Sequence, residues 1–231
     1  MKRGRLFYRL QRHFRNRRFQ VFDALLRRIL ETQPEVSILD AGGRPDYWAI
    51  LAPDLRDKVR ITCLNFRTEL ETYAQPSPDL RITCVVGDAC NMPEFPDNAF
   101  DVVHSNSVIE HVGSYQNMKR FADETRRVGR FYYVQTPNYW FPIEPHYGVP
   151  FFHWLSDTRR IWFFTRMNVG YARKCTFDMA LPRVDHTRII SPFLMQGFFP
   201  TGRSGRKESW VSRNRLLRCG RQTEVVVLER S

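Results

Sequence analysis

Val36-Ser37-Ile38-Leu39-Asp40-Ala41-Gly42-Gly43-Arg44-Pro45 is a short apolar run that ends in an acid, two glycines, an arginine and a proline. β-Branched and aliphatic residues favour a pleated, buried strand, and the glycines and proline mark where it stops. Three similar runs follow: Arg60-Ile61-Thr62-Cys63-Leu64-Asn65, Arg81-Ile82-Thr83-Cys84-Val85-Val86-Gly87-Asp88 and Phe100-Asp101-Val102-Val103-His104-Ser105. Their polar ends, Asp40, Asn65, Asp88 and Asn106, are spaced by 25, 23 and 18 residues. Such spacing suits repeated strand–crossover units, which build a parallel α/β sheet. Residues 115–128 then read as a helix, and Arg130-Phe131-Tyr132-Tyr133-Val134-Gln135-Thr136 as a fifth strand closed by Pro137-Asn138.

Outward from this core the chain changes character. Residues 5–31 place Leu6, Leu10, Phe14, Phe19, Phe22, Leu25, Leu26, Ile29 and Leu30 at mostly helical spacing with arginines between them, the pattern of one or two amphipathic helices. Residues 139–164 are dense in aromatics and prolines, an insertion suited to a lid or a pocket wall for a flat or lipidic acceptor. After about residue 197 periodicity fails, and the stretch 203–221 is rich in Arg, Ser and Gly. Only Val225-Val226-Val227-Leu228 offers a further strand there, so the C-terminal edge of the sheet is expected to be incomplete. The expected organisation is a basic helical segment over 1–34, an α/β domain over 35–197 with its lid about 139–170, and an irregular basic segment over 198–231.

The chain of 231 residues carries a formal net charge of +12, distributed as +8 over residues 1–31, −5 over 32–155 and +9 over 156–231. A mildly acidic core with basic ends is compatible with phosphate contact at the ends, or with solvated arginine-rich faces. Five scattered cysteines without a C-x-x-C pair argue against a disulfide framework or a zinc–thiolate site, and point to a reducing cytoplasm. No stretch reaches the roughly 20 apolar residues that span a bilayer, and the basic N-terminus lacks the apolar region of a signal peptide.

In an open parallel sheet, ligands bind at the carboxyl ends of the strands where chain order reverses. The residues gathered at those ends resemble the class I S-adenosylmethionine-dependent methyltransferases, in particular their type 11 methyltransferase-domain group. The resemblance rests on Ile38-Leu39-Asp40-Ala41-Gly42-Gly43, on Val86-Gly87-Asp88-Ala89 followed by Met92-Pro93-Glu94-Phe95-Pro96-Asp97-Asn98-Ala99-Phe100-Asp101-Val102-Val103, on Ser105-Asn106-Ser107-Val108-Ile109-Glu110-His111-Val112, and on Gln135-Thr136-Pro137-Asn138. It covers roughly residues 36–146.

The resemblance implies a Rossmann-like, mostly parallel sheet with helices on both faces, and S-adenosyl-L-methionine as cofactor. It implies that Asp40, Gly42 and Gly43 face the methionyl part, that Asn65 meets the ribose, that Asp88 and Ala89 contact adenine, and that Asn106 lies near the sulfonium. Two departures stand out. Arg44-Pro45 occupies the place of the family's third loop glycine, and Asn65 stands where an acid is usual, able to bond a hydroxyl but without charge.

A methyl on a sulfonium is already activated, so the protein must align a nucleophile with it and exclude water, and no metal is required. A hydroxyl or amine acceptor would gain from a general base. His111 and His146 are the candidates, because both follow strand ends and imidazole titrates near neutrality. Glu110 is a weaker third candidate, read first as a helix first-turn acid, His104 is read as structural, and His13, His153 and His186 stand in no motif. The expected activity is therefore methyl transfer to a small-molecule acceptor. An RNA methyltransferase using the basic termini is the alternative, disfavoured because Ser105-Asn106-Ser107-Val108 replaces the Asn-Pro-Pro-Tyr/Phe of base-modifying relatives. A catalytically inactive binding module is the other.

Overall fold

In the computed structural model, residues 19–73, 77–200 and 223–229 are described. The first part of the basic amphipathic stretch, with His13, and the Arg-rich stretch 203–221 lie outside the described residues. A helix over residues 19–30 (α1) leads into β1 (Val36–Ala41), β2 (Val59–Asn65), a short α2 (Arg67–Leu70), β3 (Arg81–Val86), β4 (Phe100–Asn106), α3 (Tyr115–Val128) and β5 (Gly129–Pro137). After β5 come a two-residue-arm hairpin of β6 (Ile143–Glu144) and β7 (Val149–Pro150), then α4 (Asp157–Arg166), α5 (Phe177–Asp185) and α6 (Pro192–Phe198), and finally β8 (Thr223–Glu229).

The main sheet has the order β3-β2-β1-β4-β5-β8. The first five strands run parallel, and β8 closes the β5 edge antiparallel, pairing Tyr133 with Val227 and Val134 with Val226. Order reverses between β1 and β4, so the crevice of a doubly wound sheet opens above those two strands.

Strand side chains alternate between faces, and the central strands β1, β4 and β5 are buried on both, which explains why those runs read as nearly continuously apolar, whereas the edge strand β3 is largely exposed. Ile38, Val102 and Tyr133 join a cluster with Phe22, Leu26, Trp48, Leu51 and Leu55. Their sequence neighbours Leu39, Val103 and Tyr132 join another with Met118, Phe121 and Ala122 of α3. Burying each such large side chain stabilises the fold by about 1.5–3 kcal/mol before chain entropy is counted.

α3 starts where Ser114 accepts the amide of Asn117, and it ends on Arg126 and Arg127, whose charge suits a helix C-terminus. Arg127 also donates to the carbonyls of Met92 and Phe95, tying the β3–β4 connection to this helix. β1 and β2 are joined by two 3-10 turns, Pro45–Ile50 and Pro53–Leu55, rather than by a long crossover helix. The first of them inserts the fully buried Trp48 under α1.

The insertion is larger than its aromatic signature. From Asn138 it runs through α5, with its own core of Tyr147, Phe152, Phe164, Val169, Ala180 and Val184, whereas Met195 and Phe198 of α6 pack into the α3 cluster. Arg160, almost fully buried, fastens α4 to the end of α5 by donating to the carbonyl and hydroxyl of Thr187.

Candidate active site

The loop after β1 is built on its own acid. Both oxygens of the buried Asp40 carboxylate are taken, Oδ2 by the Trp48 indole N–H at 2.8 Å and Oδ1 by His104 Nδ1 at 2.7 Å. His104 is stacked on Tyr133 and enclosed by Phe22, Tyr47 and Trp48. The Asp40 carboxylate thus points into the core rather than out from the loop. The tryptophan that replaces a crossover helix draws the carboxylate inward, where it organises the loop.

The glycines follow from the same packing. A Cβ on Gly43 would stand 1.8 Å from Asp40 Oδ2, and one on Gly42, whose φ is +75°, would stand 2.5 Å from a Val108 methyl. Only glycine allows the loop to pass between the Asp40 carboxylate and the chain after β4.

The remaining strand ends meet this loop along one edge. Gly42 donates to the Leu64 carbonyl, and Gly87 to the Asn65 carbonyl. Asn65 Nδ2 lies 3.3 Å from both the Gly43 carbonyl and the Tyr73 hydroxyl, while its Oδ1 accepts the Phe66 amide. Tyr73 in turn donates to Glu69, and Arg44 lies over the Tyr73 ring at 4.8 Å from its centroid. Burial and the Glu69 bond both raise the Tyr73 phenol above its ordinary value. Glu69 and Tyr73 went unnoticed in the sequence, although a carboxylate four residues beyond a non-acidic β2 end was there to be seen.

Asp88 is exposed, and its Oδ1 accepts the Cys90 amide in a tight turn beside Ala89. It lines an open hollow of about 490 Å³ with Asn91, Asn117 and Arg120 that reaches toward α3 rather than toward Gly42. Asn106 Oδ1 accepts from Gln135 Nε2 at 2.7 Å, and the next residue, Ser107, has a φ of +59°, a strained conformation for a side chain other than glycine. The cofactor set thus splits into 42, 43 and 65 in direct contact, 88 and 89 beyond Gly87, and 106 at the end of β4, bonded to Gln135 and two residues before the Val108 that packs on Gly42.

The other half of the edge lies over β4 and β5. Glu110 does not begin a helix; it sits in the 3-10 turn Ile109–His111, fully buried, with Oε2 accepting from the Thr136 hydroxyl at 2.9 Å. Its Oε1 has no partner among the described residues, and burial pushes its carboxyl above the ordinary range. His111 Nδ1 faces the His186 carbonyl at 2.5 Å, and His186 Nδ1 faces the His111 carbonyl at 2.7 Å. Carbonyls only accept, so both Nδ1 atoms carry the proton, and the reciprocal pair latches the β4–α3 turn to the end of α5.

His146 Nδ1 lies 2.5 Å from Glu144 Oε1, and the other oxygen of this buried Glu144 accepts the Tyr147 amide. The rings of His111 and His146 meet edge to face at 4.9 Å. One ligand atom each of Glu110, His111 and His146 lies within 4.8 Å of the others. The structure thus brings together the two histidines singled out in the sequence and adds Glu110, Glu144 and His186 to them. Glu144-Pro145-His146, polar residues inside an aromatic stretch, was the available signal for Glu144; His186 had none.

A reversal of strand order above a glycine loop, with an antiparallel strand at the β5 edge, defines the class I methyltransferase fold. Residues 39–130 match the family model described as a methyltransferase domain. An uncharacterized protein of Mycobacterium tuberculosis strain H37Rv is 33% identical over 73 residues, 31% of this chain, and the strain CDC 1551 counterpart matches equally. The chain spans a quarter of the length of these curated relatives.

Among solved structures, a methyltransferase of calicheamicin biosynthesis in its S-adenosylhomocysteine-bound form has a TM-score of 0.42 at 14% identity, over 72% of this chain and 42% of that one. A Pyrococcus horikoshii protein has a TM-score of 0.41 at 17% identity, over 59% and 64%. An S-adenosylmethionine-dependent methyltransferase of Methanosarcina mazei has 0.37 at 19% identity, over 45% and 53%. No helix among the described residues is long and apolar enough to cross a membrane.

Proposed function

We propose that the protein transfers the methyl group of S-adenosyl-L-methionine to a small-molecule acceptor. The observation that carries the reading is the contact of Asn65 with the Gly43 carbonyl, which joins the β1 loop and the β2 end of a methyltransferase domain into one polar rim. In this reading the methionyl part lies along Gly42 and Gly43, the ribose against Asn65 with Glu69 and Tyr73 behind it, and the adenine beside Asp88 and Ala89. The sulfonium then points toward Asn106. Asp40 positions the loop through Trp48 and His104 and does not touch the cofactor.

The acceptor approaches from the β4–β5 side, its reacting oxygen or nitrogen toward His111 and His146 and its apolar part against the exposed Trp140, Phe151 and Trp154 of the lid. A hydroxyl or amine acceptor loses its proton at this histidine cluster, and the fixed alignment of nucleophile, methyl and sulfur supplies the remaining acceleration.

Titration calorimetry with S-adenosylhomocysteine tests the cofactor half. Saturable one-to-one binding is expected, weakened about 100-fold or more in Gly42→Val, because a valine there must displace Val108 and, with it, the chain beside Asn106. Absence of binding in the native chain, or undiminished binding in a folded Gly42→Val variant, refutes the placement.

A further inference from the structure

We propose that Glu110, His111 and His146 together bind a divalent transition-metal cation of the zinc class at the acceptor end of the cleft. Its role in catalysis rests on the methyl-transfer reading above; the site itself does not.

The argument starts from which lone pairs are left over. His111 gives its Nδ1 proton to the His186 carbonyl and His146 gives its own to Glu144, so each ring keeps Nε2 as a bare acceptor. Thr136 occupies one oxygen of Glu110 and leaves the other, buried Oε1 without a donor among the described residues. One ligand atom from each of the three residues lies within 4.8 Å of the others, Glu110 and His111 coming from the turn after β4 and His146 from the β6–β7 hairpin. Glu110 is buried and both histidines are half-buried, and a buried polar oxygen left without a donor is unfavourable unless a positive group or a proton meets it.

The surroundings have the form that metal sites require. A metal-ligating histidine donates its second N–H to a carboxylate or a backbone carbonyl, which fixes the tautomer and aims the ring. Both arrangements occur here, Glu144 behind His146 and the His186 carbonyl behind His111, and Thr136 orients the carboxylate in the same way. Two imidazoles and one carboxylate suit zinc and its neighbours in the first transition row, whereas magnesium and calcium prefer oxygen alone. Three protein ligands leave a coordination position open, the mark of a reactive rather than a structural site.

That open position gives the cation work to do. With their Nε2 atoms on the cation the histidines would no longer take the proton themselves; an acceptor hydroxyl bound at the open position would be more acidic, as metal-bound water is, and would release its proton to solvent. The oxygen lone pair then forms the new O–CH3 bond while the S–CH3 bond breaks, and sulfur keeps that electron pair to become a neutral thioether. The acceptor class is thus a hydroxyl compound able to coordinate a cation.

The test uses the full chain stripped with a chelator, then titrated with Zn²⁺ by calorimetry and with Co²⁺ by visible absorption. One ion per chain is expected, with the Co²⁺ bands of a low-coordinate nitrogen–oxygen site and with Zn²⁺ displacing Co²⁺. His146→Gln, at a half-buried position, is expected to weaken Zn²⁺ by more than about 100-fold, and Glu144→Gln, which acts through His146, by about 10- to 100-fold. S-adenosylhomocysteine affinity should be unchanged in both variants. No saturable Zn²⁺ or Co²⁺ binding, or binding indifferent to His146→Gln, overturns the proposal. Metal binding without S-adenosylhomocysteine binding sinks the methyl-transfer reading alone, and the reverse result sinks this inference alone.

Discussion

The two halves of the strand-end edge spend their polar groups in opposite ways. Over β1 and β2, the side chains bond to one another and to the loop: Asp40 to Trp48 and His104, Asn65 to Gly43, Phe66 and Tyr73, and Tyr73 to Glu69. Over β4 and β5, among the described residues, Glu110 Oε1 is left unpaired at the edge and the His111 and His146 rings are anchored through Nδ1, whereas the one buried unpaired atom of the first half, His104 Nε2, is shut inside the core. The first half is a frame, whose side chains hold main chain in place for a ligand. The second is a set of aimed side chains, whose outward atoms are reserved. A cofactor recognised largely by shape needs the former, and an acceptor that must lose a proton needs the latter.

The sharpest way to break this contrast is to remove the frame's centre. Asp40→Ala strands the Trp48 indole N–H and the His104 imidazole N–H without acceptors in a region of essentially no solvent exposure. Each orphaned donor costs about 1–3 kcal/mol, and the cavity adds to that. A loss of about 3–5 kcal/mol is expected, a fall in melting temperature on the order of 10 °C for a domain of this size. A loss below about 1 kcal/mol by urea unfolding would mean that the carboxylate is not built into the core and is free for a ligand after all.

How much of this was legible beforehand follows the same division. The central strands were readable because burial on both faces forces contiguous apolar runs, the exposed edge strand β3 because of its β-branched residues, and all of them because glycine, asparagine, aspartate or proline marks the end; the predicted helix over 115–128 coincides with α3. The role of Asp40 was not readable, since its partners lie 8 and 64 residues away and no local pattern links them. Glu110 was misread because its place before an amphipathic run imitates a helix start, whereas the capping serine is Ser114. His186 reaches His111 only through the folding of the whole insertion, 75 residues on, and no spacing rule covers that distance. The extent of the insertion was hidden for a related reason. Its aromatic half is conspicuous, while α5 is nine residues long and carries Pro182 inside it, too short and too interrupted for a helical period to announce it.

A second, smaller effect separates frame from ligand contact within the same half. Asp88 keeps one oxygen for the Cys90 amide and projects from an exposed turn, so in the proposed placement its carboxylate also accepts from the adenine amine. A hydrogen bond to a charged acceptor contributes about 1.5–3 kcal/mol, and Asp88→Ala should therefore weaken S-adenosylhomocysteine by about 10- to 100-fold in calorimetry. Asp88→Asn preserves the turn and removes only the charge, and should fall between the two. Equal affinity in all three proteins would move the adenine elsewhere, and the β3 end would then belong to neither half.

The smallest effect bears most directly on the contrast. Asn65→Asp puts back the acid that the family usually carries at the end of β2. If the β1–β2 half is a frame, the exchange removes both Nδ2 donors and sets a carboxylate against the Gly43 carbonyl, with the Glu69 carboxylate on the far side of Tyr73. Stability should then fall by about 1 kcal/mol, the worth of an ordinary intramolecular hydrogen bond, and S-adenosylhomocysteine should bind no more than about threefold tighter. Tenfold tighter binding with an unchanged melting temperature would say the opposite. In that case residue 65 points at the ribose, its bonds to the loop are dispensable, and both halves of the edge hold their side chains in reserve for ligands.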